Sequence, residues 1–396
     1  MRLRDLFAVF SSAVAFRLIL VAPALTVPSR ALGPQHLDTH EYYALAQSIT
    51  RGSYEIGGID WILRPPGYPA LLAGLYMTLG PDPRFAVGFQ VILGGLVAVL
   101  VALWAGRTSG RWAGLAAGVL AGLAPITGFF SGFLLTESLF AACVVLGLFF
   151  AGKRPALSGF ILGLSALVRP MGVYVAAVAA FLHLLRKDWA RAGVLGLAFL
   201  LPVLPWLVRN RLVNGKAILS TQHEATVFLY AAPYTMMEER GIGYEEALAE
   251  LSDTLSCDDF WAAALDPNMA GEVAARGLAY ILRHPGAYSI AHLKGFIMGF
   301  FGLGRDFTRM LWGDSPALLP IVVFSWLYAV LTYILAGWGF ARMGREGIAL
   351  ALLVFLLLFL PGPDGSFRFR APAEPILALA SGIGIVSLKD KLFRLR

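Results

Sequence analysis

The stretch Leu6–Leu25 reads LFAVFSSAVAFRLILVAPAL, and it is long and apolar enough to cross a bilayer as one helix, which takes about 20 residues. No small-residue cleavage site stands out after it, so we interpret it as a membrane span and not as a signal peptide. Similar runs recur along the chain. Of its 396 residues, 58% are hydrophobic and 14% are charged, whereas soluble domains are about a quarter charged. The sequence therefore predicts an all-α, polytopic membrane protein.

About ten transmembrane helices are predicted. Two further apolar stretches, 67–79 and 286–304, are left out because the first is short and the second is glycine-rich and charged; both are expected to be interfacial or re-entrant. The ten predicted spans lie at residues 6–25, 85–105, 112–129, 134–151, 155–168, 171–186, 191–208, 316–340, 347–361 and 371–388.

The distribution of charge predicts the orientation of these spans. On the side of the termini, the segments between ten spans hold 15 basic residues and four acids, a net charge of +11. The rest of the chain holds 17 basic and 21 acidic residues, a net charge of −4. Because Lys and Arg concentrate in cytoplasmic loops, both termini are expected in the cytoplasm of a multi-pass plasma membrane protein. The overall charge of +7 is thus an orientation signal and not a nucleic-acid footprint.

The same partition divides the chain into three parts. Residues 1–208 form an N-terminal transmembrane module whose first outer loop spans 27–84; the motifs described below make it the candidate catalytic module. Residues 209–315 are the one sizeable polar block and are expected to form a helical region on the outer face. Residues 316–396 supply the C-terminal transmembrane helices. The two cysteines, Cys143 in an apolar run and Cys257 in a polar segment, predict neither a disulfide nor a metal cluster.

The first outer loop carries the residues most typical of a chemical site. Asp38 and Glu41 begin a short predicted helix, and Arg64 precedes Pro65-Pro66. Because a residue before proline is kept out of the helical region, Arg64 is held on a stiff loop, where a fixed cation suits a phosphate group. Two plain alternatives stay open here: the acids may only start a surface helix, and the arginine may only meet lipid headgroups.

The order of the motifs resembles bacterial family 39-type glycosyltransferases of the C-type superfamily, which includes the lipid A aminoarabinose transferase and the protein O-mannosyltransferases. The likeness covers residues 5–215 well and 361–388 moderately, while 216–315 match none of its motifs. It rests on Asp38-x-x-x-Tyr42, Arg64-Pro65-Pro66-Gly67-Tyr68-Pro69, Thr136-Glu137, Leu167-Val168-Arg169-Pro170, Pro205-Trp206-Leu207-Val208-Arg209-Asn210 and Phe367-Arg368-Phe369-Arg370-Ala371-Pro372.

The resemblance implies an inverting glycosyltransferase, a hexosyl or pentosyl transferase. Such an enzyme moves a sugar from a polyprenyl-phosphate carrier to a lipid, protein or glycan acceptor at the outer face of the membrane. It implies Asp38 as, or near, the general base, with Glu41 and Glu137 as further candidate catalytic acids. The candidate substrate-binding residues are Arg64, Tyr68, Arg169, Arg209, Arg368 and Arg370. Arg368 and Arg370 are expected to point the same way, because alternate residues of an extended segment do so.

One departure from the family leaves metal use open. Many relatives carry a second acid directly beside the first, whereas Thr39 follows Asp38 here. The use of a divalent cation is therefore undecided by the sequence.

Two residues of the unmatched outer region, His223 and Tyr230, are candidate acceptor contacts. Arg17, inside the first span, is expected to be paired structurally, because a charge within the bilayer usually faces protein or water.

Two other functions stay open. A secondary transporter or lipid-carrier flippase would place ionisable groups or broken helices near the midplane of the membrane, in corresponding halves of the chain. The distinctive residues here fall instead at the outer ends of the spans. A polysaccharide polymerase would also work on the outer face, but on a pyrophosphate-linked donor.

Overall fold

The computed structural model describes residues 1–34, 38–253, 267–302 and 304–394. Cys257 lies outside these ranges. Within them the chain is helical almost throughout, as the sequence predicts. The strands found there are two residues each, β1 (Glu55–Ile56) and β2 (Ile59–Asp60), and they pair antiparallel in a small hairpin.

The helices of the described chain follow one another closely, with short connections. A π-helical turn covers Val227–Ala231, and 3₁₀ turns cover Gly362–Asp364 and Phe367–Arg370. The α-helices are α1 (Leu3–Thr26), α2 (Ser29–Leu32), α3 (Asp38–Thr50), α4 (Gly67–Leu79), α5 (Pro83–Ser109), α6 (Arg111–Gly122), α7 (Pro125–Phe130), α8 (Glu137–Ala151), α9 (Pro155–Val168), α10 (Gly172–Leu185), α11 (Trp189–Asn214), α12 (Gln222–Thr226), α13 (Ala232–Arg240), α14 (Tyr244–Asp253), α15 (Pro267–Arg283), α16 (Pro285–Phe301), α17 (Arg305–Trp312), α18 (Leu318–Arg342), α19 (Arg345–Phe359) and α20 (Glu374–Arg394).

Four of these helices are long and apolar enough to cross a membrane: α1, α5, α11 and α18. The helices α8, α9 and α10 are also apolar but have 10–17 residues, so each is shorter than an ordinary bilayer core is thick. The interfacial stretches predicted at 67–79 and 286–304 correspond to α4 and α16, with 13 and 17 residues. The protein is a helical membrane protein, and the ten-span topology stays a prediction.

The predicted span 112–129 is not one helix, contrary to the expectation. It ends at Gly122 and begins again at Pro125, whose nitrogen has no hydrogen to donate to the preceding turn. The buried guanidinium of Arg17 covers this end of α6, and its Nη1 donates to the carbonyl oxygen of Gly122 over 2.6 Å. Arg17 therefore has the structural role that its place inside a span predicts.

The start of α7 is covered by a charge of the opposite sign. The buried Glu374 Oε2 accepts a hydrogen bond of 2.9 Å from the backbone nitrogen of Thr127 and a second one from its hydroxyl. A cation at the carbonyl end of one helix and an anion at the amide end of the next are each favoured by the helix dipole. The break in the helix is thus held by two buried charges from distant segments, α1 and α20.

The first outer loop and the outer region share one hydrophobic cluster. Leu45, Trp61 and Leu63 from the loop pack with Phe228 and Leu229 from the π-helical turn, and all five are at most 8% exposed. The hydroxyl of Ser220 also donates to the carbonyl oxygen of Leu63 over 2.5 Å. This packing brings the stretch 220–230 directly over the loop that carries Arg64.

A glycine allows the same loop to approach α9. A Cβ placed on Gly67 would lie 2.7 Å from the carbonyl oxygen of Leu167, which is too short for a real contact. Only a residue without a side chain fits where α4 begins against the end of α9. The close approach brings Arg64 and Arg169, which lie just before Gly67 and just after Leu167, to the same end of the molecule.

Candidate active site

Six charged side chains from four distant segments form one network at that end of the molecule. The first part of it lies within the outer loop. Arg64 Nη2 donates to Asp38 Oδ1 and Arg64 Nε donates to Glu41 Oε2, each over 2.7 Å. The two acids are one turn apart on α3, so one planar guanidinium reaches both carboxylates.

The second part of the network joins the loop to three further segments. Arg368 Nη1 donates to Asp38 Oδ2 over 2.9 Å, and Arg368 Nε donates to Glu137 Oε1. Arg169 Nη1 donates to the same Glu137 oxygen over 2.9 Å. Acids and arginines thus alternate along the network, and its formal charge is zero. We call these six residues the charge network: Glu41, Arg64, Asp38, Arg368, Glu137 and Arg169.

The backbone around each arginine fixes its position. The phenol of Tyr54 donates to the carbonyl oxygen of Arg64 over 2.7 Å, and the two prolines that follow stiffen the loop. Arg169 caps α9 in an extended conformation, in a turn so tight that a Cβ on Gly172 would lie 2.4 Å from the nitrogen of Ala166. Fixed cations of this kind are suited to a phosphate because they do not need to reorganise.

Two cavities adjoin the charge network. The first has about 280 Å³ and the second about 230 Å³. They share Arg169, Gln222, Thr226, Asp364 and Phe369 as lining residues. The first is lined further by Asp38, Glu41, Leu63, Arg64, Ala225, Leu229, Tyr230, Phe307, Ser366 and Arg368. The second is lined further by Pro170, Met171, Tyr174, His223, Leu360 and Pro361.

The outer-loop acid of the network is held strongly ionised. Burial alone raises the pKa of Asp38, but the guanidinium groups of Arg64 and Arg368 outweigh it and hold that pKa well below its usual range. Burial lowers the pKa of both arginines, and the neighbouring carboxylates more than reverse this, so the pKa of each lies above its usual value. In this arrangement Asp38 is a weak proton acceptor.

A further carboxylate, Asp364, lines both cavities. It lies in the 3₁₀ turn Gly362–Asp364, between α19 and the arginine motif. Burial raises its pKa to about 7, with Arg368 opposing the rise and Asp38 adding to it. Sequence analysis missed this residue because one acid in Pro-Gly-Pro-Asp-Gly is typical of an ordinary turn. Its place four residues before Arg368 was the available signal.

Six of the predicted site residues meet in the charge network. The three other candidates, Tyr68, Arg209 and Arg370, lie elsewhere. Tyr68 is fully buried and donates to Gln90 Oε1 over 3.0 Å, beneath Tyr42. Arg209 pairs with Asp60 over 2.6 Å and holds the β1–β2 hairpin. Neither residue lines the two cavities.

Arg370 also points away from the cavities, which corrects the expectation for its segment. The sequence favoured an extended strand in which Arg368 and Arg370 face the same way, but Phe367–Arg370 is a 3₁₀ turn. Three residues per turn place alternate side chains on different sides. Arg370 Nη1 donates to the carbonyl oxygen of Phe300 over 2.9 Å, while Arg368 alone joins the charge network.

Glu137 joins the network through its Oε1, which accepts from both Arg169 and Arg368. It is fully buried at the first turn of α8, and its Oε2 has no hydrogen-bond partner in the described part of the chain. An unpartnered carboxylate oxygen at this depth is costly and is balanced here by two arginines.

As for metals, no group of three or more histidine, cysteine or acidic residues in the described ranges is arranged to hold an ion.

A third cavity, of about 300 Å³, lies at the opposite ends of α5, α8 and α10. Its charged lining is mainly basic, with Arg107, Lys153 and Arg186, the last paired with Glu346. Cations at the carboxyl ends of helices are expected from the helix dipole. This cavity lacks the paired acids and arginines of the charge network, so we place the candidate active site at the other end.

Comparison with solved structures gives archaeal oligosaccharyltransferases. The apo form of the Archaeoglobus fulgidus enzyme is 17% identical, with a TM-score of 0.57 over 99% of this chain and 51% of that chain. Oligosaccharyltransferase AglB from the same organism, in complex with an inhibitory peptide and a dolichol-phosphate, is 16% identical, with a TM-score of 0.53 over 98% and 51%. ArnT from Cupriavidus metallidurans, bound to undecaprenyl phosphate, is 15% identical, with a TM-score of 0.45 over 96% and 77%. No protein-family profile and no curated sequence matches the chain.

These comparisons establish the fold. The chain spans about half the length of the archaeal oligosaccharyltransferases that it matches. It shares with them the helical fold of the C-type membrane glycosyltransferases, so the fold that the motif resemblance implied is confirmed. The reaction has to be argued from the site itself.

Proposed function

We propose that the protein is an inverting glycosyltransferase that moves one sugar from a polyprenyl-phosphate carrier to an acceptor at the outer face of the membrane. The observation that carries this proposal is the charge network, five of whose six residues line a cavity at one end of a C-type fold. A transfer of this kind needs fixed cations for the departing phosphate and a carboxylate for the proton of the acceptor. Both are present in the first cavity.

The arginines have capacity for a phosphate beyond the contacts they already make. A guanidinium offers five N–H donors, and Arg64 and Arg368 each use two of them within the network, while Arg169 uses one. A carrier phosphate in the first cavity would take the remaining donors. It would gain negative charge as the glycosidic bond breaks, so these contacts would strengthen in the transition state.

The second cavity offers room for the acceptor. It lies beside the first one and is lined by His223 and Gln222 from the outer region and by Met171 and Tyr174 from the membrane part. A mixed lining of this kind suits an amphipathic molecule, whose polar end would lie beside the donor sugar. The residues 209–315 therefore contribute to acceptor choice. Dolichol-phosphate in the AglB structure is a lipid of the class proposed as carrier.

The direct test uses the purified protein in liposomes made from an envelope extract of the source cells, which supplies the acceptor. Undecaprenyl-phosphate-linked hexoses and pentoses are added one at a time, and the release of undecaprenyl phosphate is measured. We expect release with at least one donor and its loss in Arg64→Ala. No release with any monosaccharide donor, or release that survives Arg64→Ala unchanged, would contradict the proposal.

The alternatives lack comparable support. A polymerase would take a pyrophosphate-linked donor, and the same assay with such a donor distinguishes it. A transporter or flippase would use the helix break at 123–124, where Arg17 and Glu374 are buried. The cavity beside Arg17 has about 10 Å³, room for about one water molecule, and both charges already cover helix ends. The break therefore has a structural role.

A further inference from the structure

The turn that carries Asp364 is built to hold that side chain in one place. Gly362 has a φ of +65°, a backbone conformation that residues with a side chain rarely adopt. A Cβ on Gly365 would lie 1.9 Å from the carbonyl oxygen of Gly295, and one on Gly295 would lie 2.2 Å from that of Gly362. Backbone thus packs directly on backbone, with the turn pressed onto α16. The carboxylate between these glycines projects from a rigid support.

Asp364 differs from the acids of the charge network in its partners. Both oxygens of Asp38 accept from arginines, and so does one oxygen each of Glu41 and Glu137. The carboxylate of Asp364 makes neither a hydrogen bond nor an ion pair within the described ranges. It is therefore free to accept a proton from a ligand without first breaking a salt bridge.

Its position matches the place where two substrates would meet. Asp364 lies in the wall that the two cavities share, next to the donor site of Arg64 and Arg368 and next to the cavity of His223. Asp364 is also the stronger base of the two aspartates, because burial raises its pKa, whereas Arg64 and Arg368 outweigh burial at Asp38 and lower the pKa there. A general base works best when its pKa lies near the pH of the reaction.

We infer that Asp364 is the proton acceptor of the transfer, and that Asp38 positions Arg64 and Arg368 for the carrier phosphate. This inference rests on the proposed function. The acceptor oxygen forms a bond to the anomeric carbon while its proton moves to the Asp364 carboxylate. The bond between that carbon and the phosphate oxygen breaks, and its electron pair stays with the carrier phosphate. The protonated Asp364 then returns its proton to water.

Several other groups face Asp364 and have to be separated from it in a pH profile. Tyr230 and Tyr234 face it from the outer region, and burial followed by the Asp364 charge raises the pKa of both. Tyr288 and His292 of α16 lie beside Gly362, and burial lowers the pKa of His292. The charged groups are Asp38, Arg169 and Arg368, and His223 lines the neighbouring cavity.

The test compares turnover and its pH dependence in the wild type and in variants of the two aspartates, in the liposome assay with the donor that the wild type uses. In the wild type, turnover should rise with pH and level off above about pH 7, because the ionised form of Asp364 is the active one. Asp364→Asn should lose turnover about a hundred- to ten-thousandfold and should lose this rising limb. It should still bind undecaprenyl phosphate. Asp38→Asn should bind undecaprenyl phosphate more weakly, but its turnover should still rise with pH as in the wild type.

Controls separate a chemical role from a structural one. Asp314→Asn alters an exposed acid that pairs with Arg309 of α17, the helix whose Phe307 lines the first cavity, and should behave as the wild type. His223→Gln and His292→Gln should keep the rising limb. Added formate should restore turnover in Asp364→Ala, because a small carboxylate can occupy the space and take the proton, whereas it does not repair a misplaced backbone.

A second measurement does not depend on turnover. Infrared spectra of the protein in lipid nanodiscs should show a protonated carboxyl group that ionises near pH 7 and is missing in Asp364→Asn. If the wild type transfers sugar and Asp364→Asn keeps more than about a tenth of that rate, this inference fails while the proposed function stands. If the wild type transfers no sugar, the proposed function fails and takes this inference with it.

Discussion

Arg64 shows at the scale of one residue how the site is arranged for an anion. Its guanidinium holds both Asp38 and Glu41, and its exposed side-chain fraction is 9%. Arg64→Ala should weaken the binding of radiolabelled undecaprenyl phosphate in detergent roughly ten- to a hundredfold, about 1.4 kcal/mol for each factor of ten. It removes donors and also leaves two carboxylates that repel the phosphate. The affinity of Arg64→Lys for the lipid should lie between those of the wild type and Arg64→Ala, because an ammonium group lacks the planar, two-pronged geometry of a guanidinium.

Two other arginines serve as controls for this measurement. Arg309 is exposed on α17, whose Phe307 lines the first cavity, and it pairs with Asp314, so Arg309→Ala should bind the lipid as the wild type does. Arg370 donates to the carbonyl oxygen of Phe300, so Arg370→Ala should lower the melting temperature while the folded protein keeps its affinity. Equal, small losses of affinity in Arg64→Ala and Arg309→Ala would show that Arg64 only meets lipid headgroups.

The raised pKa of Asp364 makes a prediction about stability. Its pKa is 3.8 in an unfolded chain and about 7 in the folded protein. Between these values the unfolded chain loses the proton while the folded protein keeps it, so stability falls as the pH rises through this window. Asp364→Asn removes that loss. Above pH 7 the variant should be more stable than the wild type by roughly 2–4 kcal/mol, and near pH 4 the two should be equal.

Asp38 provides a comparison of opposite sign in the same thermal unfolding experiment. Because its folded pKa lies below that of the unfolded chain, its ionised form stabilises the folded protein, and this contribution is present at neutral pH and lost in acid. Asp38→Asn should therefore be less stable than the wild type at neutral pH. Asp364→Asn and Asp38→Asn curves that shift in the same direction would contradict the charge arrangement described here.

Much of the charge network could be predicted from the sequence, and the choice among similar residues could not. Asp38 and Arg64 stand out by their type and their place in the first outer loop, whereas Glu137 and Arg169 became candidates through motifs that resemble those of a known family. The distinction between Arg368 and Arg370 depends on whether the segment is extended or turns every three residues, which its four letters do not decide. A lone turn acid such as Asp364 becomes a candidate only when folding shows what surrounds it.

At the scale of elements, the break between α6 and α7 depends on Arg17. Its exposed fraction is 2%, and it donates to the last carbonyl groups of α6. Arg17→Met keeps the length of the side chain and removes the charge, which leaves those carbonyls unpaired and leaves Arg370, 3.7 Å away, as the cation beside Glu374. We expect a loss of roughly 3–5 kcal/mol in the free energy of unfolding, measured by denaturation in detergent.

The partner variant tests whether the two buried charges act together. Glu374→Gln alone should also destabilise the protein, because it weakens the contact with Thr127 and leaves Arg17 uncompensated. In the double variant Arg17→Met with Glu374→Gln, the loss should be smaller than the sum of the two single losses, as expected for coupled groups. Strict additivity would mean that each charge covers its own helix end independently.

The apolar runs predicted where the helices lie, but they did not predict the interruption within 112–129. Pro125 alone permits either a kinked helix or a stop, because proline is accepted in the first turn of a new helix. What decides for a stop is the pair Arg17 and Glu374, which come from α1 and α20 and satisfy the two free helix ends. Such long-range compensation leaves no pattern in a local window of sequence.

At the scale of the whole molecule, the helices separate two chemically different ends. The helices α8 and α10 begin beside the charge network, at Glu137 and just after Arg169, and end at the basic cavity lined by Lys153 and Arg186. This separation agrees with the charge partition of +11 and −4 in the sequence. If the basic end faces the cytoplasm, the cavity of the charge network opens on the outer side.

Cysteine labelling in intact cells tests this orientation. In a background without Cys143 and Cys257, single cysteines replace Glu245 of α14 and Thr108 at the end of α5, both exposed. A membrane-impermeant maleimide should label Glu245→Cys in intact cells and Thr108→Cys only after permeabilisation. Because both positions are exposed in the folded protein, a difference in labelling reports the side of the membrane and not burial. Labelling of Thr108→Cys from outside would overturn the ten-span topology and would place the charge network on the cytoplasmic side, away from an outer-face acceptor.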